Sequence, residues 1–126
     1  MQLRKYYWVF LLLLLTGWWL LRPQQSDTGP ASSWRDMSHR ELVLTRHAKC
    51  RMACRHIDEG EIRELLQKGK LNTSKSEPDA RPSPRYALEG TSSDGQQLRI
   101  IVAPEGAKMV VITVIDLGRE WACHCP

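Results

Sequence analysis

The sequence predicts an α+β domain behind an N-terminal membrane anchor: two helices packed on one antiparallel β-sheet, in the order β-α-α-β-β-β. Three observations predict it. Residues 6–21 form an unbroken apolar run, Tyr-Tyr-Trp-Val-Phe followed by five leucines, Thr-Gly and Trp-Trp-Leu-Leu. Between residues 46 and 69 apolar side chains recur at helical spacing, whereas from residue 86 the chain turns to β-prone runs divided by turn residues. Four cysteines fall into two close pairs, Cys50 and Cys54 early in the domain and Cys123 and Cys125 at its far end.

The chain divides into an anchor (1–22), a polar linker rich in Ser, Gln, Gly and Pro (23–40) and a small α+β domain (41–126). Arg4 and Lys5 precede the apolar run, which by the positive-inside rule keeps the N-terminus cytoplasmic and sends the remainder across. Trp18 and Trp19 suit the far interface. A helix over the run rises only about 24 Å against a hydrocarbon core of about 30 Å, between a signal-peptide core and a full span. No small-x-small cleavage site follows it. The expectation is therefore an uncleaved single-pass signal anchor in the inner (cytoplasmic) membrane with the domain extracytoplasmic, or periplasmic; a cleaved signal peptide and a buried soluble helix are the alternatives.

Net charge is +4, but Arg4, Lys5 and Arg22 supply three positive charges in a stretch without acids. The rest is nearly balanced, so a global electrostatic case for nucleic-acid binding fails. The charge is local: Arg46, Lys49, Arg51 and Arg55 stand in ten residues that hold no acid. Such a patch suits an anion or an acidic protein partner.

In order, Leu42–Leu44 reads as a strand, and Thr45 caps a helix from Arg46 to His56. On its wheel Cys50, Ala53, Cys54 and Ile57 form the expected core stripe, with His47, Arg51 and Arg55 along the edge. Asp58 with Glu61 three residues on is a capping box; the helix it opens buries Ile62, Leu65 and Leu66 and stops at Gly69. Residues 72–85 carry three prolines and read as a mobile loop. Tyr86–Glu89 and Gln97–Ala103 are strands joined at Ser92–Gly95; after a turn at Pro104–Ala107, Met109–Ile115 reads as the central strand. The tail from Glu120 to Cys125 reads as an edge strand.

Cysteines four apart on a helix share a face, as do cysteines two apart on a strand. A bond inside either pair is geometrically poor, so helix-to-tail disulfides are expected, Cys50 and Cys54 to Cys123 and Cys125 in an order left open. One alternative is a metal: the same four thiolates, with His47, His56 or His124 nearby, would suit zinc or Cu(I); redox-active or free thiols are the other. His47, Arg51 and Arg55 are the candidate catalytic or anion-binding residues, a general acid/base beside two guanidinium groups. The competing reading is structural, and no carboxylate stands out as their partner. P-loop, dinucleotide-binding and Ser-hydrolase motifs are missing from the sequence. Asn72-Thr-Ser74 matches a glycosylation sequon, a triplet that also arises by chance, and Trp34 and Trp121 read as packing residues.

The patterns His47-Ala-x-x-Arg51-Met-x-x-Arg55-x-Ile57, Tyr86-Ala-Leu-Glu-Gly, Asp94-Gly-x-x-Leu-Arg-Ile and Val111-Ile-Thr-Val-Ile resemble, in order and spacing, a bacterial family of small domains of unknown function. Its layout is similar to that of the RelE and ParE toxins and the barnase-like ribonucleases. That similarity implies a phosphate site near His47, Arg51 and Arg55 and, with it, RNA as a partner. An exported, tethered chain with four additional cysteines departs from that pattern. The leading expectation is a disulfide-stabilised extracytoplasmic module that binds a protein or anionic ligand through the basic helix edge and needs no cofactor. A ribonuclease or toxin-like domain and a zinc- or copper-binding domain are the alternatives.

Overall fold

The structure, a computed structural model, describes residues 3–20, 36 and 38–126. The expected linker, 23–40, and Trp34 fall almost wholly outside them. Helix α1 is Leu3–Leu20. Among its described side chains the large apolar residues Tyr6 to Leu15 and Trp18 are exposed on every side, Trp8 at 72% and Phe10 at 68%. Among the described residues, no helix is long and apolar enough to cross a membrane.

The domain runs β1 (Glu41–Leu44), α2 (Arg46–Arg55), α3 (Glu59–Lys68), β2 (Lys70–Leu71), a 3-10 turn at Thr73–Lys75, β3 (Tyr86–Thr91), β4 (Gln97–Glu105) and β5 (Lys108–Asp116). The α+β class stands, but the sheet is mixed rather than antiparallel. Its strands lie in the order β1-β5-β4-β3-β2, and β1 pairs parallel with β5, Leu42 beside Met109 and Leu44 beside Val111. The chain leaves β1 through both helices, re-enters at the opposite edge as β2, and meanders back until β5 runs alongside β1. Local turns specify the meander; the β1–β5 pairing spans the whole domain and has no local signal. The strand expected at the centre, β5, is interior, but β4 occupies the middle of the five.

Each element has a local cause. Thr45 caps α2, its hydroxyl accepting from the Ala48 N–H at 3.0 Å. The helix stops at Arg55 rather than His56, because His56 takes a left-handed conformation (φ 55°) and the Ile57 N–H returns to Met52 O at 3.0 Å. Both halves of the expected capping box at Asp58 and Glu61 form, at 2.9 and 3.0 Å. Gly69 ends α3 in an extended, not left-handed, conformation; glycine is required there because a Cβ would collide with Leu65 O. The β4–β5 hairpin turns on Gly106 at φ 57°.

The core lies between the helices and one sheet face. Ile62, Leu65 and Leu66 of α3 pack against Leu88, Leu98, Ile100 and Val102. Buried residues alternate along β4, whereas β5 buries Met109 and Val111 and then Val114. A bulge opposite Ile101/Val102 inserts Ile112 and shifts the phase of β5. The face of α2 turned to the core is Ala48, Met52 and Arg55, not the expected Cys50, Ala53 and Cys54; Ala53 is exposed and both cysteines are half-buried. Segment 72–85 is pinned rather than loose. Asn72 Nδ2 donates to Glu89 at 2.8 Å, its Oδ1 accepts from Ser74 and the Lys75 N–H, and Glu77 bridges Arg85. With its amide so engaged, Asn72 is poorly placed as a glycosylation acceptor.

Candidate functional site at the helix–tail junction

Past Val111, β1 no longer covers the outer edge of β5, and unpaired strand carbonyls demand donors. Helix α2 supplies them. Thr45 donates from its backbone N–H to Val111 O at 3.2 Å and from its hydroxyl to Ile112 O at 3.0 Å. Arg55, only 9% exposed, donates from a terminal guanidinium nitrogen to Val114 O. Gln96 Nε2 in turn donates to Arg55 O at 3.1 Å. This occupied edge is why residues 120–125 form no strand, contrary to expectation. The tail runs along α2 instead.

Two disulfides hold it there, Cys50–Cys125 and Cys54–Cys123, with Cα–Cα distances of 5.7 and 5.9 Å. The contacts form an antiparallel ladder. His47 meets Pro126, Cys50 meets Cys125, Cys54 meets Cys123, and His56 meets Trp121 edge-on at 5.6 Å between ring centroids. The spacings match: four helical residues rise about 6 Å and two extended residues span about 6.6 Å. The half-buried odd positions 121, 123 and 125 alternate with exposed even ones, as an extended segment facing α2 requires. Direction fixes the order left open by the sequence, because β5 ends beside Arg55 and the tail must retrace α2 from its C-terminal end.

Trp121 anchors the start of the ladder. Its indole N–H donates to Asp116 Oδ2 at 2.8 Å, Gly118 N–H donates to Asp116 Oδ1 at 2.9 Å, and the Arg119 guanidinium lies 4.2 Å over the indole. Burial alone would push the Asp116 carboxyl up. The donors from Trp121, Gly118 and Arg119, with the charge of Arg55, outweigh it and hold Asp116 below the usual carboxylate range. Burial and the neighbouring Arg51 pull Arg55 below the usual guanidinium range, while Asp116 acts in the opposite sense. Together Arg55, Asp116, Arg119, Glu120 and Trp121 line an open cleft of about 550 Å³. The roles of Asp116 and Arg119 were not read from sequence; the turn signal Asp116-x-Gly118 was the available clue.

The three expected catalytic candidates do not converge. Arg55 points into the fold. His47 and Arg51 stay on the helix edge, with His47 Nδ1 2.9 Å from Pro126 O and Arg51 Nε donating to His47 Nε2 at 3.4 Å. In that arrangement Nδ1 carries the proton and Nε2 accepts, so neither nitrogen of His47 is free to act as a base. Among the described residues no Asp or Glu side chain pairs with either of them. Arg46 and Lys49 are exposed, and among the described residues neither side chain has an ion-pair or hydrogen-bond partner. The four sulfurs are paired in two bridges, so the chain in this oxidised form offers no thiolate to zinc or Cu(I). Among the described residues no group of three or more His, Cys, Asp or Glu is placed to hold a metal; His56 lies against Trp121 and His124 is exposed.

A family described as a domain of unknown function, DUF4258, matches residues 44–116, more than half of the chain. The chain belongs to the DUF4258 family. No curated protein and no solved structure matches it. The DUF4258 match spans α2, α3 and strands β2 to β5, with only the last residue of β1, and stops at Asp116, so Cys50 and Cys54 lie inside it and both partner cysteines lie beyond it.

Proposed function

We propose that this DUF4258 protein is a membrane-tethered, extracytoplasmic, non-enzymatic module that binds an acidic protein segment through the exposed edge of α2. The observation that carries the reading is the pair Arg46 and Lys49, unpartnered and exposed on a helix that two disulfides hold rigid. Unpaired cations on a fixed scaffold lose little conformational freedom on meeting a carboxylate. The tether is α1. It displays Trp8, Phe10 and the leucines on every side, a surface that water disfavours and lipid accepts, and at 18 residues it is about 27 Å long. Arg4 and Lys5 at its start favour an outward domain, and the disulfides suit an oxidising compartment.

The test uses the full chain in detergent micelles and a fluorescent decaglutamate peptide. Binding that weakens with salt and falls about tenfold in an Arg46→Glu, Lys49→Glu double variant is expected. Equal affinity for the variant and the unaltered chain would refute the reading. RNA incubated with the same preparation should remain uncut, since His47 has no free nitrogen and Arg55 is turned inward; cleavage lost in His47→Ala would move the protein to the ribonuclease class.

A further inference from the structure

The strand edge uses only part of Arg55. Nη1 donates to Val114 O, but Nε is buried without a hydrogen-bond partner. Among the described residues no carboxylate forms an ion pair with Arg55. Nε and Nη2 make up the side of a guanidinium that grips a carboxylate through two parallel N–H···O bonds. At 9% exposure, an N–H left unpaired is costly, and an acceptor that reaches it gains more than it would in water. The same side chain forms part of the wall of the open cleft of about 550 Å³ at the start of the tail. Asp116 lines that cleft too, but its carboxylate is already committed to the Trp121 indole N–H and to the backbone N–H groups of Gly118 and Arg119.

The rest of the wall suits the same kind of ligand. Arg119, exposed and lying 4.2 Å over the Trp121 indole, is a second cation of the cleft, and the ring restrains a side chain that would otherwise move freely in solvent. Ile115 and Leu117 add apolar surface, Leu117 at 41% exposure. Two guanidinium groups share the cleft with two acids, Asp116 and Glu120. A dianion such as phosphate would be repelled by both acids, whereas one carboxylate can rest on the arginines at a smaller penalty. We propose that this cleft binds a small monocarboxylate with an apolar body, its carboxylate on the free Nε/Nη2 side of Arg55 and on Arg119, its body against Leu117 and Trp121. The site is separate from the α2 edge, and Arg46 and Lys49 take no part in it. The volume lies within the range of small-molecule sites, about 300–1,000 Å³.

The experiment titrates the oxidised full chain, in non-ionic detergent micelles, with phenylacetate. Nitrogen–proton correlation NMR follows two reporters, the Arg55 Nε–H, identified by its nuclear Overhauser contacts to Val114, and the Trp121 indole N–H. Phenylacetamide, which has the same body and no charge, serves as the control. A saturable shift of both signals with phenylacetate, and none with phenylacetamide, is expected. Arg119→Ala alters an exposed residue, so the fold is retained, and binding should weaken about tenfold, the loss of one charge-assisted contact. Arg55 and Trp121 signals that stay still up to roughly 50 mM phenylacetate would overturn the proposal. So would equal shifts with phenylacetamide, which would reduce the site to an apolar contact, or an unchanged affinity in Arg119→Ala. Inorganic phosphate binding as tightly as phenylacetate would overturn the assignment to a monocarboxylate.

Discussion

Arg55 and Arg51 are one helical turn apart and look equivalent in sequence, yet their surroundings give them different work. Arg55 is buried and donates to the Val114 carbonyl of β5. Arg55→Met should cost about 1.5–3 kcal/mol in urea denaturation, the range for a buried hydrogen bond from a charged group. Arg51→Ala, at a half-exposed helix edge, should cost under about 1 kcal/mol. The reverse order would place the structural arginine wrongly. The wheel could not separate them, because it assigned the core to the cysteine stripe; Cys50 and Cys54 are apolar in character but are drawn outward by their bonds to the tail. Glu89 and Asp116 give a pH prediction. Hydrogen bonds from Arg99 and Asn72 hold Glu89 below its usual range against burial, as Trp121, Gly118 and Arg119 do for Asp116. Both folded-state pKa values lie below the unfolded ones. Their stabilisation is thus complete above about pH 4 to 5 and is lost as pH falls through the folded values. A Glu89→Gln, Asp116→Asn variant should be less stable at pH 7 and lose less on acidification; a parallel pH profile would exclude these two groups as the source.

At the scale of elements, what could be read locally was read: the caps at Thr45 and Asp58, the Ile62/Leu65/Leu66 stripe and the hairpins at Gly95 and Gly106 all rest on short-range chemistry. What failed was long-range. The parallel β1–β5 contact and the loss of the tail strand both follow from how α2 crosses the edge of β5, which no local pattern states. Gly69 is a mixed case, since its position was read but its reason was not. Gly69→Ala should destabilise by about 1–3 kcal/mol through collision with Leu65 O rather than through φ; a neutral result would mean that the helix end shifts to accommodate the methyl. The two bridges should also be strongly non-additive. The first closes a loop of about 70 residues, worth roughly 4 kcal/mol in the chain-entropy model, whereas the second then closes only a small ring. Removing either pair as Ser variants should cost about 2–3 kcal/mol, and removing both roughly 6–7 kcal/mol. A double loss equal to the sum of the two single losses would contradict the nested arrangement.

For the molecule as a whole, three levels fit together: an apolar N-terminal helix, a small α+β domain of the DUF4258 family, and a tail that closes the domain upon α2. Deleting residues 1–22 should move the protein from the carbonate-resistant membrane fraction to the soluble one without altering the domain's circular dichroism; an unchanged membrane fraction would remove α1 as the tether. The tail's antiparallel course along α2 underlies the rigid edge, and disulfide mapping tests it most directly. Trypsin cuts after Lys49, Arg51, Arg55 and Arg119, separating Cys50 and Cys54 onto different peptides while the tail stays whole. Mass spectrometry of the non-reduced digest, with fragmentation between Cys123 and His124, then reads the connectivity. The account requires the Met52–Arg55 peptide on Cys123 and the Cys50–Arg51 peptide on Cys125. The opposite pairing, or free thiols in protein taken from an oxidising compartment, would contradict it.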